Sequence, residues 1–148
     1  KKDIVIDGSK EKALKKYGTD IHYILENINF EKALIDNQYL ERLNINNFQR
    51  DLVKGFISLE IFKNLVNPKF FKELEFSYMK EDTQINGIID LLIETDDKIL
   101  IIDYKLKNIT DQLYLSQIQG YRDFIKQSST KEIVCFLYSI IDRTLKKI

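Results

Sequence analysis

Gly87-Ile88-Ile89-Asp90-Leu91-Leu92-Ile93-Glu94-Thr95 is followed, after Asp96-Asp97, by Lys98-Ile99-Leu100-Ile101-Ile102-Asp103-Tyr104-Lys105. Both runs are apolar at odd and even positions alike, the pattern of strands covered on both faces. An acid inside such a run is costly unless something compensates it, and here there are two, with a lysine. If Asp96 and Asp97 form a two-residue hairpin turn, Thr95 pairs with Lys98 and counting back sets Asp90 opposite Asp103. Directly opposed residues share a face of the sheet, with Cβ atoms roughly 4.5–5.5 Å apart. Lys105, two residues beyond Asp103, points to that face too, and Tyr104 to the other. A four-residue loop centred on the same dipeptide gives the same pairing, whereas a shift of one residue puts the acids on opposite faces.

Two carboxylates that close repel each other, most strongly where water is scarce. A shared proton, the lysine, or a divalent cation would each relieve the repulsion. A cation suits best, because Mg²⁺ favours one or two carboxylates, retained waters and phosphate oxygens. The alternative is a buried Asp–Lys–Asp cluster that only holds the hairpin together, although buried charge of that kind seldom improves on apolar packing.

Around the hairpin the chain divides in two. Residues 10–28 have helical character, with a candidate interruption at Tyr17-Gly18-Thr19, where Thr19 can cap a second segment. Residues 30–42 and 48–66 carry apolar side chains at helical spacing, and Phe48, Leu52, Phe56, Leu59, Phe62 and Val66 mark one stripe. Asn67-Pro68 stops this half. Then Phe70–Lys80, Gln84–Thr95 and Lys98–Lys105 read as strands, Thr110 or Asp111 opens a helix to about Lys126, and Glu132–Ile140 is a further strand. The expected architecture is α/β: a mixed central sheet flanked by helices, with residues 1–68 as a helical part and 69–148 as a sheet core, together a single domain.

Hydrophobic residues at 44% and charged ones at 31% fit a soluble globular protein, and no run approaches a membrane span. The start, Lys1-Lys2-Asp3, lacks the apolar region of a signal peptide, and the first residue is not methionine, so a processed chain or a domain of something larger is expected. Cys135 is the one cysteine, which rules out an internal disulfide and an iron–sulfur cluster and points to a reducing, cytoplasmic setting. Its apolar flanks make it a buried, inert thiol. With 23 basic and 23 acidic side chains, the zero net charge counts against a free-standing nucleic-acid binder, though not against a domain handed its strand by a neighbour. The lysines of the first sixteen residues and the closing Arg143, Lys146 and Lys147 read as solvated surface and frayed ends.

Gly87-Ile-Ile-Asp90 followed by Ile101-Ile-Asp103-Tyr-Lys105 resembles the core of the PD-(D/E)XK nuclease superfamily, and within it the RecB/AddA-type nuclease domain of bacterial helicase–nucleases. Gly18-Thr19-Asp20-Ile21-His22, with Leu25-Glu26 after it, is similar to that group's N-terminal histidine motif. Glu73-Leu74-Glu75-Phe76 is similar to the strand leading into the first core acid, and Gln117-Ile-Gln-Gly-Tyr121 matches its Q-x-x-x-Y motif. The resemblance covers about residues 10–140. It implies a metal-dependent deoxyribonuclease, the exonuclease module of a DNA recombination and repair machine. Asp90, Asp103 and Lys105 would be catalytic, and His22, Asp90, Asp103 and the main-chain carbonyl of Tyr104 would hold Mg²⁺ or Mn²⁺. Gln117 and Tyr121, one helical turn apart, would contact the DNA, expected to be a single strand. Without the resemblance, Tyr114 and Tyr121 read as helix packing. Glu26, one turn from His22, either orients the imidazole or is solvated. AddB-type relatives carry iron–sulfur cysteines, which this chain lacks. There is no G-x-x-x-x-G-K-[ST] phosphate loop, which implies a helicase part elsewhere in the polypeptide, together with a partner subunit. Two other readings stay open: a catalytically inactive nuclease-fold scaffold that guides DNA, and an interaction domain docking through 48–66.

Overall fold

The Asp96-Asp97 turn folds in the register that the sequence predicts. Thr95 N–H donates to Lys98 O at 2.9 Å, and Leu91, Leu92, Ile93 and Glu94 pair antiparallel with Ile102, Ile101, Leu100 and Ile99. The buried Thr95 hydroxyl, 3.0 Å from the Asp97 carboxylate, also accepts from Lys98 N–H, which closes the turn with side-chain bonds. The computed structural model describes residues 14–105 and 112–148, with side chains for 21–105 and 114–148. The lysine-rich start, Thr110 and Asp111 lie outside the described residues.

The hairpin is the middle of one sheet ordered β1-β2-β3-β4-β5. Its strands are β1 (Lys69–Lys80), β2 (Thr83–Glu94), β3 (Lys98–Lys105), β4 (Glu132–Ser139) and β5 (Thr144–Lys147). β3 and β4 are parallel and the other neighbours antiparallel, so the sheet is mixed. A parallel pair needs a crossover, supplied by α4 (Gln112–Lys126). Helices α1 (Leu14–Asn27), α2 (Phe30–Ile35) and α3 (Asn47–Ile57) form the other layer. Leu91, Ile93, Leu100, Ile102 and Tyr104 face these three helices, while Ile99, Ile101 and Leu137 face Ile118, Tyr121 and Ile125 of α4. Burial on both faces explains the unbroken apolar runs of β2 and β3. No helix among the described residues is long and apolar enough to cross a membrane.

The helical half departs from the expected boundaries. α1 runs unbroken through Gly18 and Thr19. Packing of the buried Ile21, Ile24, Leu25 and Ile28 outweighs the ~1 kcal/mol that a glycine costs a helix. Residues 30–42 are not one helix: α2 stops where the Asp36 carboxylate accepts Gln38 N–H at 2.9 Å, and a 3-10 turn follows at Leu40–Arg42. α3 begins at an Asn46–Gln49 capping box. It ends where the Ser58 hydroxyl donates to Lys54 O, nine residues before Asn67-Pro68. Phe62 then reaches the core from a 3-10 turn, edge-on to Phe56 at 5.0 Å, whereas Phe48 and Val66, the two ends of the expected stripe, are exposed. A second correction falls at the other terminus. Residues 144–147, expected to fray, form β5 against Phe136–Ser139, turned by Arg143 at φ 54°.

Gly87 faces Phe76 across β1 and β2. A Cβ there would lie 2.6 Å from two atoms of the Phe76 ring and 3.4 Å from the Tyr121 ring. The absent side chain lets Phe76 cross the strand and meet Tyr121 edge to face at 5.3 Å. Gly87→Ala is therefore expected to overpack this core and lower stability by about 1–3 kcal/mol, read as a fall in the urea midpoint at constant m-value. An unchanged midpoint would show that the ring moves aside freely.

Candidate active site

The site forms where β1, β2 and β3 depart from regular pairing together. Along β2, Ile89 packs on the α4 side but Leu91, two residues on, packs under α1–α3. Alternation is thus broken at Asp90. Along β1 the same break separates Phe70 from Leu74, and Glu73 between them has φ 52°. Pairing runs from Lys72 with Leu91 directly to Leu74 with Ile89, so Glu73 and Asp90 sit opposite each other in a gap in the ladder. A non-glycine residue in the left-handed region stores strain of order 1–3 kcal/mol, and such strain clusters at functional positions.

Next to this gap β2 and β3 separate. Their ladder ends at Leu91 and Ile102, and the next inward-pointing amide, Tyr104 N–H, donates at 2.7 Å to Asp90 Oδ2. A carboxylate thus takes the place of a strand partner. The Tyr104 carbonyl, on the same edge, accepts from His22 Nε2 of α1 at 3.1 Å, which puts the ring proton on Nε2. The His22 and Tyr104 rings meet edge to face at 5.4 Å. On the far side, Lys105 Nζ is 3.0 Å from Asp103 Oδ2, donates to Gln117 Oε1 at 3.0 Å, and sits 4.3 Å over the Tyr114 ring. Asp103 is almost fully buried, and despite the nearby ammonium its Oδ2 has no aligned donor.

Electrostatics reflect the crowding. Burial pushes the Asp90 carboxyl up to about 9, aided by its hydrogen bond with the Asp103 carboxyl and by the Asp103 charge, while the Tyr104 N–H pulls the other way. Burial, then the charges of Glu26 and Asp103, also raise Glu73. Burial lowers His22, against its bond to Tyr104 and the pull of Asp103, and so favours the neutral imidazole a metal requires.

The expected residues therefore fall into three groups. Asp90, Asp103 and Lys105 come together, Gln117 joins them through Lys105, and His22 reaches the adjoining Tyr104 carbonyl. His22 is not drawn into a common cluster with the acids: among the described residues no group of three or more His, Cys, Asp or Glu side chains converges on one point. Tyr121 is corrected in kind, since its ring is enclosed against Phe76 and its hydroxyl is buried without a partner. No face is open for stacking on a base, and the packing role that its helical position suggested is the one it fills. Glu26 is exposed and acts on His22 and Glu73 only through its charge. Glu73 was missed as a site residue. In Glu73-Leu74-Glu75-Phe76 it reads as the polar half of an ordinary alternating strand. Placing it opposite Asp90 requires recognising a turn at Glu81-Asp82, whose φ values of 50° and 65° come without the usual Gly or Asn.

The donors that face the gap are two carboxyl groups held against each other, one with a buried oxygen lacking a donor, beside a main-chain carbonyl and a neutral imidazole. This hard, oxygen-rich set fits Mg²⁺ or Mn²⁺, and a divalent cation would remove the need for the Asp90 proton. A family model for the PD-(D/E)XK nuclease superfamily matches residues 5–147 of this arrangement.

The chain belongs to the PD-(D/E)XK nuclease superfamily. It is also similar to one of the ATP-dependent helicase/nuclease proteins of Clostridium beijerinckii, at 25% identity over 167 aligned positions. That alignment covers 88% of this chain and 12% of the relative, so the chain spans about an eighth of that protein's length. In this PD-(D/E)XK nuclease the acid–acid contact lies at the strand ends, where the sheet opens, within reach of both helical layers.

Proposed function

We propose that this domain hydrolyses DNA phosphodiester bonds with Mg²⁺ or Mn²⁺, as the exonuclease module of a helicase–nuclease in recombination and repair. The observation that carries the reading is the contact of the Asp90 and Asp103 carboxyls with the Lys105 ammonium 3.0 Å from Asp103. Asp90 and Asp103 would hold the cation, with His22 and the Tyr104 carbonyl completing the donor set. When bound, the cation polarises the scissile phosphate and makes a hydroxide available near neutral pH. Lys105, steadied by Gln117, orients the attacking water and offsets charge growing on the phosphate. Tyr121 supports Gln117 from within the core. No residue of the site is arranged to read base edges, so cleavage is expected to ignore sequence. The superfamily membership supports nuclease chemistry. The similarity to a helicase/nuclease protein supports a helicase part in the same polypeptide, a partner subunit, single-stranded DNA as substrate and a cytoplasmic setting.

Calorimetric titration with Mn²⁺ tests the cation directly. Wild type is expected to bind with release of a proton and Asp90→Ala not to bind measurably. Equal binding by both proteins would remove the basis of the proposal.

A further inference from the structure

Beyond Glu73 and Asp90 the β1–β2 hairpin continues without a helical layer on one side. Leu74, Phe76, Tyr78, Ile85 and Ile89 pack on the α4 side. By alternation Glu75, Ser77, Met79, Gln84, Asn86 and Ile88 line the opposite face, and all six are exposed. Ile88 is 46% and Met79 62% exposed. The bare face begins beside the site, since Ile88 lies two residues from Asp90. It carries one charge, Glu75. Its polar groups form an amide chain in which Gln84 Nε2 donates to Ser77 Oγ at 2.9 Å and to Asn86 Oδ1 at 3.3 Å.

We infer that this face is the platform on which the bases of a single DNA strand lie as its phosphate enters the site, a conclusion that rests on the proposed nuclease reading. Charge complementarity separates the two halves of a nucleotide. A phosphate seeks cations, and the nearest cation of the site is Lys105, across the gap from the hairpin; a near-neutral face with apolar patches suits bases. Contact with the flat faces of bases is tolerant of sequence. The amides can donate or accept, and so need not choose among bases. Continuity decides the occupant: a strand bound at Asp90 and Asp103 and running along β2 passes over Ile88 first and Met79 last.

The test is Mn²⁺-dependent hydrolysis by the full chain of sixteen-nucleotide oligothymidylate and of thymidine 5′-(p-nitrophenyl phosphate), which has no second base. Ile88→Ser with Met79→Ser is expected to raise KM for the oligonucleotide about tenfold, the size of one lost base contact. Its kcat and both constants for the small ester should not change. Because both side chains are exposed, the melting temperature is also expected to hold. Unchanged KM for the oligonucleotide would overturn the platform while leaving the nuclease intact. Loss on both substrates would also overturn it, as a sign of damage to the site, and a wild type that cuts neither substrate would remove this inference and the nuclease reading together.

Discussion

Asp103→Ala is expected to abolish Mn²⁺-dependent DNA hydrolysis, a loss of about a thousandfold or more, while the protein still melts cooperatively. The acid is buried, its Oδ2 has no aligned donor, and it meets Asp90 carboxyl to carboxyl. Its removal takes away a cation donor and the partner of Lys105 at once. The same change relieves a like-charge contact, so stability is expected to hold or rise, in the manner of sites that trade stability for activity. Lys105→Ala should cost about 10²–10³-fold, as for loss of one charge-stabilising donor. It should not raise stability, because it leaves both carboxyls without their cation. Initial rates on oligonucleotides beside calorimetric melting check both variants. Wild-type cleavage by Asp103→Ala would sink the assignment. Activity lost only together with cooperative melting would instead favour the structural Asp–Lys–Asp cluster.

The second large effect is on pH. Asp90 rises from the ordinary 3.8 to about 9 in the folded, metal-free protein. A carboxyl whose folded pKa lies above its unfolded value binds its proton more tightly in the fold. Its stabilising contribution is complete below about pH 4 and is lost as pH climbs through about 9. Melting temperature in EDTA is therefore expected to fall steadily from pH 5 to pH 9, and Asp90→Asn to flatten that slope. Mn²⁺ acts in the opposite sense, since the donor must be deprotonated to bind. The rise in melting temperature on adding Mn²⁺ should grow with pH over the same window, and protons taken up by buffer should report Asp90 ionising. A melting temperature that rises with pH in EDTA, or a Mn²⁺ effect independent of pH, would contradict the shared-proton picture.

The sequence by itself determined the centre of this protein. Two apolar runs hinged at Asp96-Asp97 permit one register that shields both faces, and that register sets Asp90 against Asp103 with Lys105 on their side. The strands and α4 followed for the same reason: their hydrophobic periods are local and strong. What the tertiary structure decided were matters of long-range contact. Phe62 reaches the core from a turn because Ser58 binds back to Lys54 and lets the chain fold onto Phe56. Residues 144–147 become a strand because an edge of β4 is there to pair with. Glu73 joins the site because β1 and β2 slip phase together, and the backbone strain that records the slip has no local signature. Tyr121 looked like a ligand-facing aromatic until Gly87, thirty-four positions earlier, proved to make room for Phe76 against it. Local pattern says which residues want burial, and only the assembled sheet says which of them obtain it.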